Sequence, residues 1–481
     1  MRRTLGALLA AGALVGLTAP AHAEPGLDWG PCEQNPEVEC STVRVPLDWA
    51  DPQGEQVDIA VARRPATDPA QRVGTLVHMP GGPGGTGVSQ LIAGNPFAPE
   101  LAARFDVVSY DPRGFGGSHQ LQCDPALIEE QPDVRPDGPE HFRQLEDHNR
   151  RASEDCRARS GPIVDHVDTA SVARDIDAFR AALGEQQLSL YGISYGTLVG
   201  QMYAEQFPER VRALVLDSVF DHSQDTTGFV VTQAEAAEDS FDEFAAWCDR
   251  DAACALHGED VGAVFDELYE RAEAGELPQP GGSEPMTPVD LSRTAMSAFY
   301  GPDWHSLAAQ LDELRDGRPT TAAQQRDPVP NPTAAFCNDH RIEAGSAEEY
   351  ARLFAQQHQA APHLRAGVGG VQAPYCLGWK APVQNPQHVP DIRTEAPVLI
   401  LNALHDPATG YNWATNVDSQ IEQATMLTYD GWGHGVYDRN ECTLNATHAY
   451  LVDGVLPQED AHCPPVQPKP VQTATRPDRP W

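Results

Sequence analysis

Basic side chains are scarce in this chain of 481 residues: 33 lysines and arginines face 70 aspartates and glutamates, giving a formal net charge of −37 at pH 7. Such a charge repels polyanions, which excludes nucleic acid and stable association with anionic membranes. It could favour cationic ligands, although a solvated acidic surface explains it as well. The sequence has no Cys/His spacing typical of a zinc site, so we expect no structural metal. It has no internal repeats either.

The chain also lacks an apolar run long enough for a good membrane span. Its first 23 residues instead predict a cleaved signal peptide: Arg2 and Arg3 precede the apolar residues 5–17, and the AHA of residues 21–23 fits the small-x-small cleavage rule. A retained membrane anchor is the alternative, and the Sec and twin-arginine routes both stay open. We expect a secreted mature chain, cleaved after about Ala23.

The ten cysteines are an even number, which in an exported chain argues for disulfides. Sequence does not fix the connectivity. Pairing in chain order is the simplest hypothesis, because each pair then closes a local loop. The predicted pairs are Cys32–Cys40, Cys123–Cys156, Cys248–Cys254, Cys337–Cys376 and Cys442–Cys463.

Short apolar runs with polar or glycine-rich exits recur along the chain. They occupy residues 74–79, 105–110, 188–191, 211–216, 396–401 and 426–429. Such runs are typical of buried parallel strands, whose carboxyl ends carry the ligand sites of open α/β sheets. Residues 57–62 alternate in part, as an edge strand does. Apolar residues spaced by three and four along 169–184 predict a helix that packs on the sheet.

The rhythm of strands stops between Ser218 and about Asp391, a gap too long for a simple connection. Helical patterns at 232–248, 261–272, 291–300 and 304–314 predict a mainly helical lid inserted into an α/β domain. The predicted organisation is signal peptide 1–23, first core part 24–221, lid 222–391, second core part 392–465 and proline-rich tail 466–481.

The pentapeptide GISYG, residues 192–196, follows one predicted strand and precedes a helix-like stretch. A Gly-x-Ser-x-Gly turn in that context exposes its serine on a sharp elbow, where a neighbouring base can activate the hydroxyl. Ser194 is therefore the predicted nucleophile. The alternative is an ordinary turn serine, because the pentapeptide alone is a weak signal.

The acid and the base should follow in that order, each after a later strand. Asp406 follows the run at 396–401, and His434 follows the run at 426–429. We predict that His434 takes the serine proton and that Asp406 orients it. Both could instead be turn residues, and Asp430, Asp438 and His405 are rivals at less suitable positions.

An oxyanion hole needs two backbone N–H donors. We predict that the N–H of Tyr195, the residue after the predicted nucleophile, is one donor. The glycine-rich loop 81–84 should supply the other, with Gly82 favoured. A glycine-rich turn without a catalytic role is the alternative for that loop.

Several motifs together resemble a known family. They are PGGPG at 80–84, DPRGFGGS at 111–118, GISYG at 192–196, HDPAT at 405–409 and GWGHG at 431–435. The chain resembles the α/β-hydrolases of the prolyl aminopeptidase group, above all the secreted bacterial tripeptidyl aminopeptidases, also in its segments 336–339 and 442–463. The resemblance implies an α/β-hydrolase fold, cleavage near a free amino terminus and a triad at positions 194, 406 and 434. Prolyl aminopeptidases usually have histidine where Pro80 stands, so narrow proline specificity is not implied.

An exopeptidase of this kind must recognise an ammonium group, and a lid carboxylate at a fixed distance from the nucleophile would do so. Asp339 is the candidate, with Glu343 behind it; either could instead be an ordinary surface acid. The sequence thus predicts a secreted serine exopeptidase that releases short peptides, tripeptides by resemblance, and that needs no cofactor. An esterase or lipase with the same triad and a non-catalytic binding protein on this scaffold are the alternatives, and oligomeric state stays open.

Overall fold

The computed structural model describes residues 26–279, 285–317 and 332–469. The predicted signal peptide and residues 470–481 of the predicted tail lie outside this part of the chain. The described residues form one ten-stranded sheet. Its strands are β1 (Gly30–Pro31), β2 (Glu39–Pro46), β3 (Gln56–Arg64), β4 (Gly74–Met79), β5 (Phe105–Tyr110), β6 (Leu188–Ile193), β7 (Val211–Asp217), β8 (Val398–His405), β9 (Ala424–Trp432) and β10 (Ala461–Cys463).

The strands lie side by side in the order β1-β2-β3-β5-β4-β6-β7-β8-β9-β10. All pairs from β5 to β10 are parallel, while β1, β2 and β3 form an antiparallel margin. Every residue of β4 and β6 is buried, which explains why these runs are apolar without alternation. The predicted, mostly parallel sheet is confirmed. The prediction of an edge strand at 57–62 is wrong, because β2 pairs along nearly all of β3.

Helices cover both faces of the sheet. They are α1 (Gly87–Ala93), α2 (Pro99–Arg104), α3 (Pro125–Glu129), α4 (Gly138–Ser160), α5 (Thr169–Leu183), α6 (Tyr195–Gln206), α7 (Thr226–Arg250), α8 (Val261–Glu273), α9 (Pro288–Tyr300), α10 (Trp304–Arg315), α11 (Thr333–Asp339), α12 (Ala347–Ala360), α13 (Val368–Gln372), α14 (Tyr411–Gln420) and α15 (Glu441–Asp453). The predicted helix at 169–184 is confirmed as α5. Asp168 caps its first turn by accepting the N–H of Ser171, and Gly184 ends it in the left-handed conformation.

The insertion between β7 and β8 contains helices α7 to α13, so a mainly helical insertion is confirmed. The helices α7, α8, α9 and α10 share an apolar core of their own, in which Phe241, Phe244 and Trp304 are buried. We refer to this insertion as the lid. The four predicted lid helices correspond to α7 to α10, whereas α12 was not predicted although Ser346 caps it.

The structure joins all ten cysteines, in the five pairs that chain order predicts. Two of the bridges, Cys248–Cys254 and Cys337–Cys376, lie within the lid. Each bridge therefore closes a loop inside its own part of the chain. Among the described residues, no helix has the length and apolarity that crossing a membrane requires, and no group of His, Cys, Asp and Glu side chains is arranged to hold a metal ion.

Candidate active site

Ser194 forms the turn between β6 and α6, with φ of 55° and ψ of −125°. Non-glycine residues rarely adopt this conformation, which costs about 1–3 kcal/mol and must be held by packing. A Cβ atom on Gly192 would lie 2.5 Å from the carbonyl oxygen of Gly196, and one on Gly196 would lie 2.1 Å from that of Met79. Both glycines of the pentapeptide are therefore required by close backbone contact. The turn leaves Ser194 only half-buried.

The structure brings Asp406 and His434 into contact. Asp406 follows β8, His434 follows β9, and both side chains are wholly buried. Each carboxylate oxygen of Asp406 lies 3.0 Å from Nδ1 of His434. Contact through Nδ1 fixes the imidazole and leaves its Nε2 side for proton transfer.

Asp406 is held as a carboxylate by a local network. Its Oδ1 accepts the backbone N–H groups of Ala408 and Thr409, each at 2.9 Å, and its Oδ2 accepts the hydroxyl of Thr409 at 3.1 Å. Burial alone would raise the pKa of Asp406, but His434 and these hydrogen bonds outweigh burial and hold the pKa below its usual value. Thr409 Oγ1 also lies 3.4 Å from His434 Nδ1, so it touches both members of the pair.

Asp217 and Ser218, at the end of β7, connect the turn of Ser194 to the loop of His434. The N–H of Ser194 donates to the carbonyl of Asp217 at 3.0 Å, and the N–H of Gly435 donates to the hydroxyl of Ser218 at 2.7 Å. The Asp217 carboxylate accepts the N–H groups of Val436 and Tyr437, at 2.7 and 2.9 Å. Two adjacent residues thus hold the loops that carry Ser194 and His434.

The carboxylate of Asp217 is fully buried, which is uncommon for a charged group. Burial raises its pKa to about 6, although hydrogen bonds from Tyr191, Tyr437 and Val436 and the proximity of His434 oppose the rise. Its carboxylate accepts the amides of Val436 and Tyr437 and the hydroxyl of Tyr191, whereas that of Asp406 contacts the imidazole in addition to its own local amides. The geometry therefore separates the two acids by their partners.

The glycine-rich loop after β4 lies against Ser194. A Cβ atom on Gly81 would lie 3.0 Å from Cβ of Ser194, and Gly82 has φ of 133°, which favours glycine. On the other side, Tyr195 opens α6, and the first amides of a helix have no partner inside it. Both predicted donors, Gly82 and Tyr195, thus belong to segments next to Ser194.

The rival residues have other partners. His405 Nδ1 lies 2.8 Å from a carboxylate oxygen of Asp239 in the lid, and Asp430 pairs with His462 at 2.5 Å. Asp438 is exposed. None of these contacts involves the half-buried serine.

Comparison with known proteins agrees with this geometry. The α/β-hydrolase fold family matches residues 74–441, which is more than half of the chain. The chain belongs to the α/β-hydrolase family. The family resemblance and the α/β-hydrolase fold predicted from the motifs are confirmed.

Three relatives of this hydrolase are similar over most of their length. Tripeptidyl aminopeptidase of Streptomyces lividans is 30% identical, and the match covers 93% of this chain and 88% of the relative. Serine protease Hip1 of Mycobacterium tuberculosis is 29% identical, with 95% of each chain covered. Carboxylesterase B of Mycobacterium tuberculosis is 32% identical, with 92% and 90% covered. The relatives therefore include both peptidases and an esterase.

Asp339 does not lie where a carboxylate that binds substrate would have to lie. It is wholly buried; its Oδ1 accepts the N–H and hydroxyl of Thr169 and the amide of Asn385, and its Oδ2 accepts the hydroxyl of Tyr195 at 2.7 Å. The carboxylate has donors at both oxygens and no exposure to solvent, so an incoming ammonium group cannot reach it in this structure. In this hydrolase Asp339 ties the lid to α5 and α6, contrary to the predicted role.

Burial, helped by the charge of Asp168, raises the pKa of Asp339 to about 7, although its hydrogen bonds oppose the rise. Glu343 is exposed in the loop after α11, and its N–H donates to the hydroxyl of Thr226 at 3.0 Å. The structure therefore separates the two predicted amino-terminus ligands: one is sealed inside, and the other is at the surface.

Sequence reasoning missed Thr409 and Asp217. Thr409 is part of the HDPAT motif, and Asp217 is a polar residue at the end of a predicted strand. Each therefore occupies the kind of position, just after a strand, by which Asp406 was predicted. What the sequence could not show is that the Asp217 carboxylate meets amides 219 and 220 residues further along the chain.

Proposed function

We propose that this α/β-hydrolase is a secreted serine exopeptidase that releases short peptides, most simply tripeptides, from free amino termini. The observation that carries the proposal is the buried Asp406–His434 pair, linked through Asp217 and Ser218 to a half-buried serine on a strained turn. A rigid arrangement of this kind suits nucleophilic catalysis by serine.

In the proposed reaction Ser194 Oγ attacks the scissile carbonyl carbon while His434 Nε2 takes the hydroxyl proton. Asp406 holds the Nδ1 proton and stabilises the imidazolium. The N–H groups of Gly82 and Tyr195 donate to the negative oxygen of the tetrahedral intermediate. His434 then protonates the departing amine, and the amino-terminal peptide stays esterified to Ser194. Water, deprotonated by His434, releases that peptide and restores the serine.

The peptidase part of the proposal is supported by the two relatives named as tripeptidyl aminopeptidase and serine protease. The number of residues removed per cut and the requirement for a free amino end are extended to this chain from the first of them. Secretion is supported by the basic and apolar start of the chain and by the five disulfides. Mass spectrometry of the protein from culture medium should show a mature chain beginning near Glu24.

A second candidate, a carboxylesterase with the same triad, is favoured by the relative named carboxylesterase B. The fold does not fix the leaving group, so substrates must decide. We would compare an Ala-Ala-Pro aryl amide with a free amino end, its acetylated form and a simple aryl ester, and identify products of a longer peptide by mass spectrometry.

A peptidase of the proposed kind cleaves the free amide far better than the acetylated one and releases tripeptides. Equal rates on both amides, or hydrolysis of the ester alone, would favour the esterase. Ser194→Ala should abolish all hydrolysis and all labelling by a fluorophosphonate. Labelling that persists in this variant would refute the assignment of the nucleophile.

A further inference from the structure

The lid contacts the histidine loop directly, at the end of α9. The backbone N–H of His434 donates to the carbonyl of Tyr300, the last residue of that helix, at 3.0 Å. The two rings also meet, with centroids 4.8 Å apart and planes inclined by 60°. The residue proposed as the general base therefore has a lid residue as a neighbour through both its backbone and its ring.

Arg439 fastens this contact. Its guanidinium Nη2 donates to the carbonyl oxygens of Tyr300 at 2.8 Å and His434 at 2.7 Å, and its Nε donates to that of Gly435 at 2.7 Å. A charged donor makes stronger hydrogen bonds than a neutral one, and the planar fork fixes the relative position of its acceptors. One side chain thus joins the end of α9 to the carbonyls of His434 and of the residue after it.

The loop that carries His434 packs so closely against the lid that it has little room to move. A Cβ atom on Gly433 would lie 2.6 Å from Nη2 of Arg439 and 2.8 Å from the carbonyl oxygen of Tyr300. Just before it, Trp432 packs edge-on against Trp304 of α10 and donates its indole N–H to Glu243 of α7 at 2.9 Å. Three lid helices therefore hold the segment that leads into His434.

We propose that Arg439 is a positioning residue that locks the His434 loop to helix α9, so that the lid helps to aim the general base. The inference rests on the proposed function, because it assigns His434 that role. A misplaced imidazole slows the chemical step, because displacing a catalytic group by about 1 Å can cost about 10²-fold in rate. Binding of a small substrate should hardly change, so the effect belongs to kcat rather than KM.

The test uses Arg439→Met and Arg439→Lys in the full chain. We would measure kcat and KM for an aryl ester and the rate of fluorophosphonate labelling, and count active molecules by titration and folded ones by circular dichroism. The matched control is Arg393→Met, which makes the same change at an exposed arginine that pairs with Asp391. We would add guanidinium chloride, at concentrations too low to unfold the protein, to replace the missing group. Sodium chloride of equal ionic strength is the control for this addition.

We expect Arg439→Met to lose about 10²-fold in kcat and in labelling rate at nearly constant KM, with a smaller loss for the lysine variant. Guanidinium should restore at least tenfold of that loss in Arg439→Met, and should do nothing for the wild type or the control. Tyr300→Ala removes the ring that packs on the imidazole but keeps the backbone carbonyl that Arg439 and the His434 N–H bind, so it should lower kcat less than Arg439→Met does, and guanidinium should not relieve that loss.

Unchanged kcat in folded Arg439→Met would overturn the inference. A loss that guanidinium does not relieve would overturn it too, because the loss would then not come from the missing guanidinium group. Failure of both arginine variants to fold would also overturn it, because Arg439 would then act on stability only. A wild type that neither hydrolyses the ester nor reacts with the fluorophosphonate would instead contradict the proposed function. Neither reagent needs a free amino end, so an esterase would pass that control and still test Arg439.

Discussion

Replacing Asp339 by asparagine should keep most of its hydrogen-bond network and remove its charge. The Oδ1 atom of Asp339 accepts three donors, from Thr169 and Asn385, and Oδ2 accepts the hydroxyl of Tyr195. In Asp339→Asn the carboxamide oxygen can keep the first three. The carboxamide nitrogen can donate to the hydroxyl oxygen of Tyr195, which also accepts hydrogen bonds. The hydroxyl hydrogen of Tyr195 loses its acceptor in the variant, a cost that is the same at every pH.

The expected gain depends on pH. Burial and Asp168 raise the pKa of Asp339 from 3.8 to about 7, so between these two values the folded protein binds a proton that the unfolded chain has released. The stability that this proton contributes is fully present below pH ~4 and is lost as pH rises to about 7. Each tenfold difference in proton affinity is worth about 1.4 kcal/mol, which amounts to about 4 kcal/mol in all. Of this, about 3 kcal/mol falls between pH 5 and pH 8.

Asp339→Asn has no proton to lose, so its stability relative to the wild type should rise by about 3 kcal/mol from pH 5 to pH 8. Urea unfolding of both proteins with disulfides intact measures this difference. Asp391→Asn, at an exposed carboxylate, is the matched control and should show none of it. A wild type and an Asp339→Asn variant whose stabilities stay parallel over this range would refute the buried-charge argument.

The same variant tests the role that the sequence suggested for Asp339. A sealed carboxylate cannot hold a substrate ammonium group, so the preference for free over acetylated amino ends should survive in Asp339→Asn. Collapse of that preference, with the protein still folded, would show that Asp339 meets the substrate and that its four internal hydrogen bonds are exchanged on binding.

Three further changes test the site itself. Thr409→Val removes the hydroxyl that bonds the catalytic acid and should lower kcat about 10-fold or more, whereas Thr409→Ser keeps the hydroxyl and most of the activity; equal kinetics in both would contradict this. Asp217→Asn places an NH₂ group against backbone N–H donors, so it should slow labelling of the nucleophile with little change in KM, and normal labelling would show that the loop of His434 does not need this anchor. Gly196→Ala should cost about 3 kcal/mol or prevent folding, while Gly94→Ala, where a Cβ atom meets nothing within 4 Å, should be close to neutral in thermal unfolding.

Much of the fold was predictable because its signals are local. A buried parallel strand is a continuous apolar run wherever it occurs, and the capping residues Asp168 and Gly184 lie next to the helix that they bound. The margin formed by β2 escaped notice because its residues are mostly half-buried or exposed, which leaves no apolar run. Helix α12 escaped for a similar reason, since only three of its residues are buried.

Within the site, position along the chain predicted more than side-chain contacts did. Residues at the ends of neighbouring parallel strands must meet, so the encounter of Asp406 with His434 followed from strand order alone. The contacts of Asp339 and Arg439 depend on how the lid packs on the core, and residue types do not encode that packing. For this reason the sequence pattern cannot distinguish an acidic lid residue that binds substrate from one that, like Asp339, bonds internal groups.

The five disulfides, which join cysteines consecutive along the chain, bear on how the protein is made. If the chain is exported unfolded, as the Sec form of the proposed secretion requires, its thiols would reach the oxidising side one after another. An oxidase that joins each new thiol to the one just before it would produce the native set without any reshuffling. Such a protein should mature in hosts that have a strong oxidase and no disulfide isomerase.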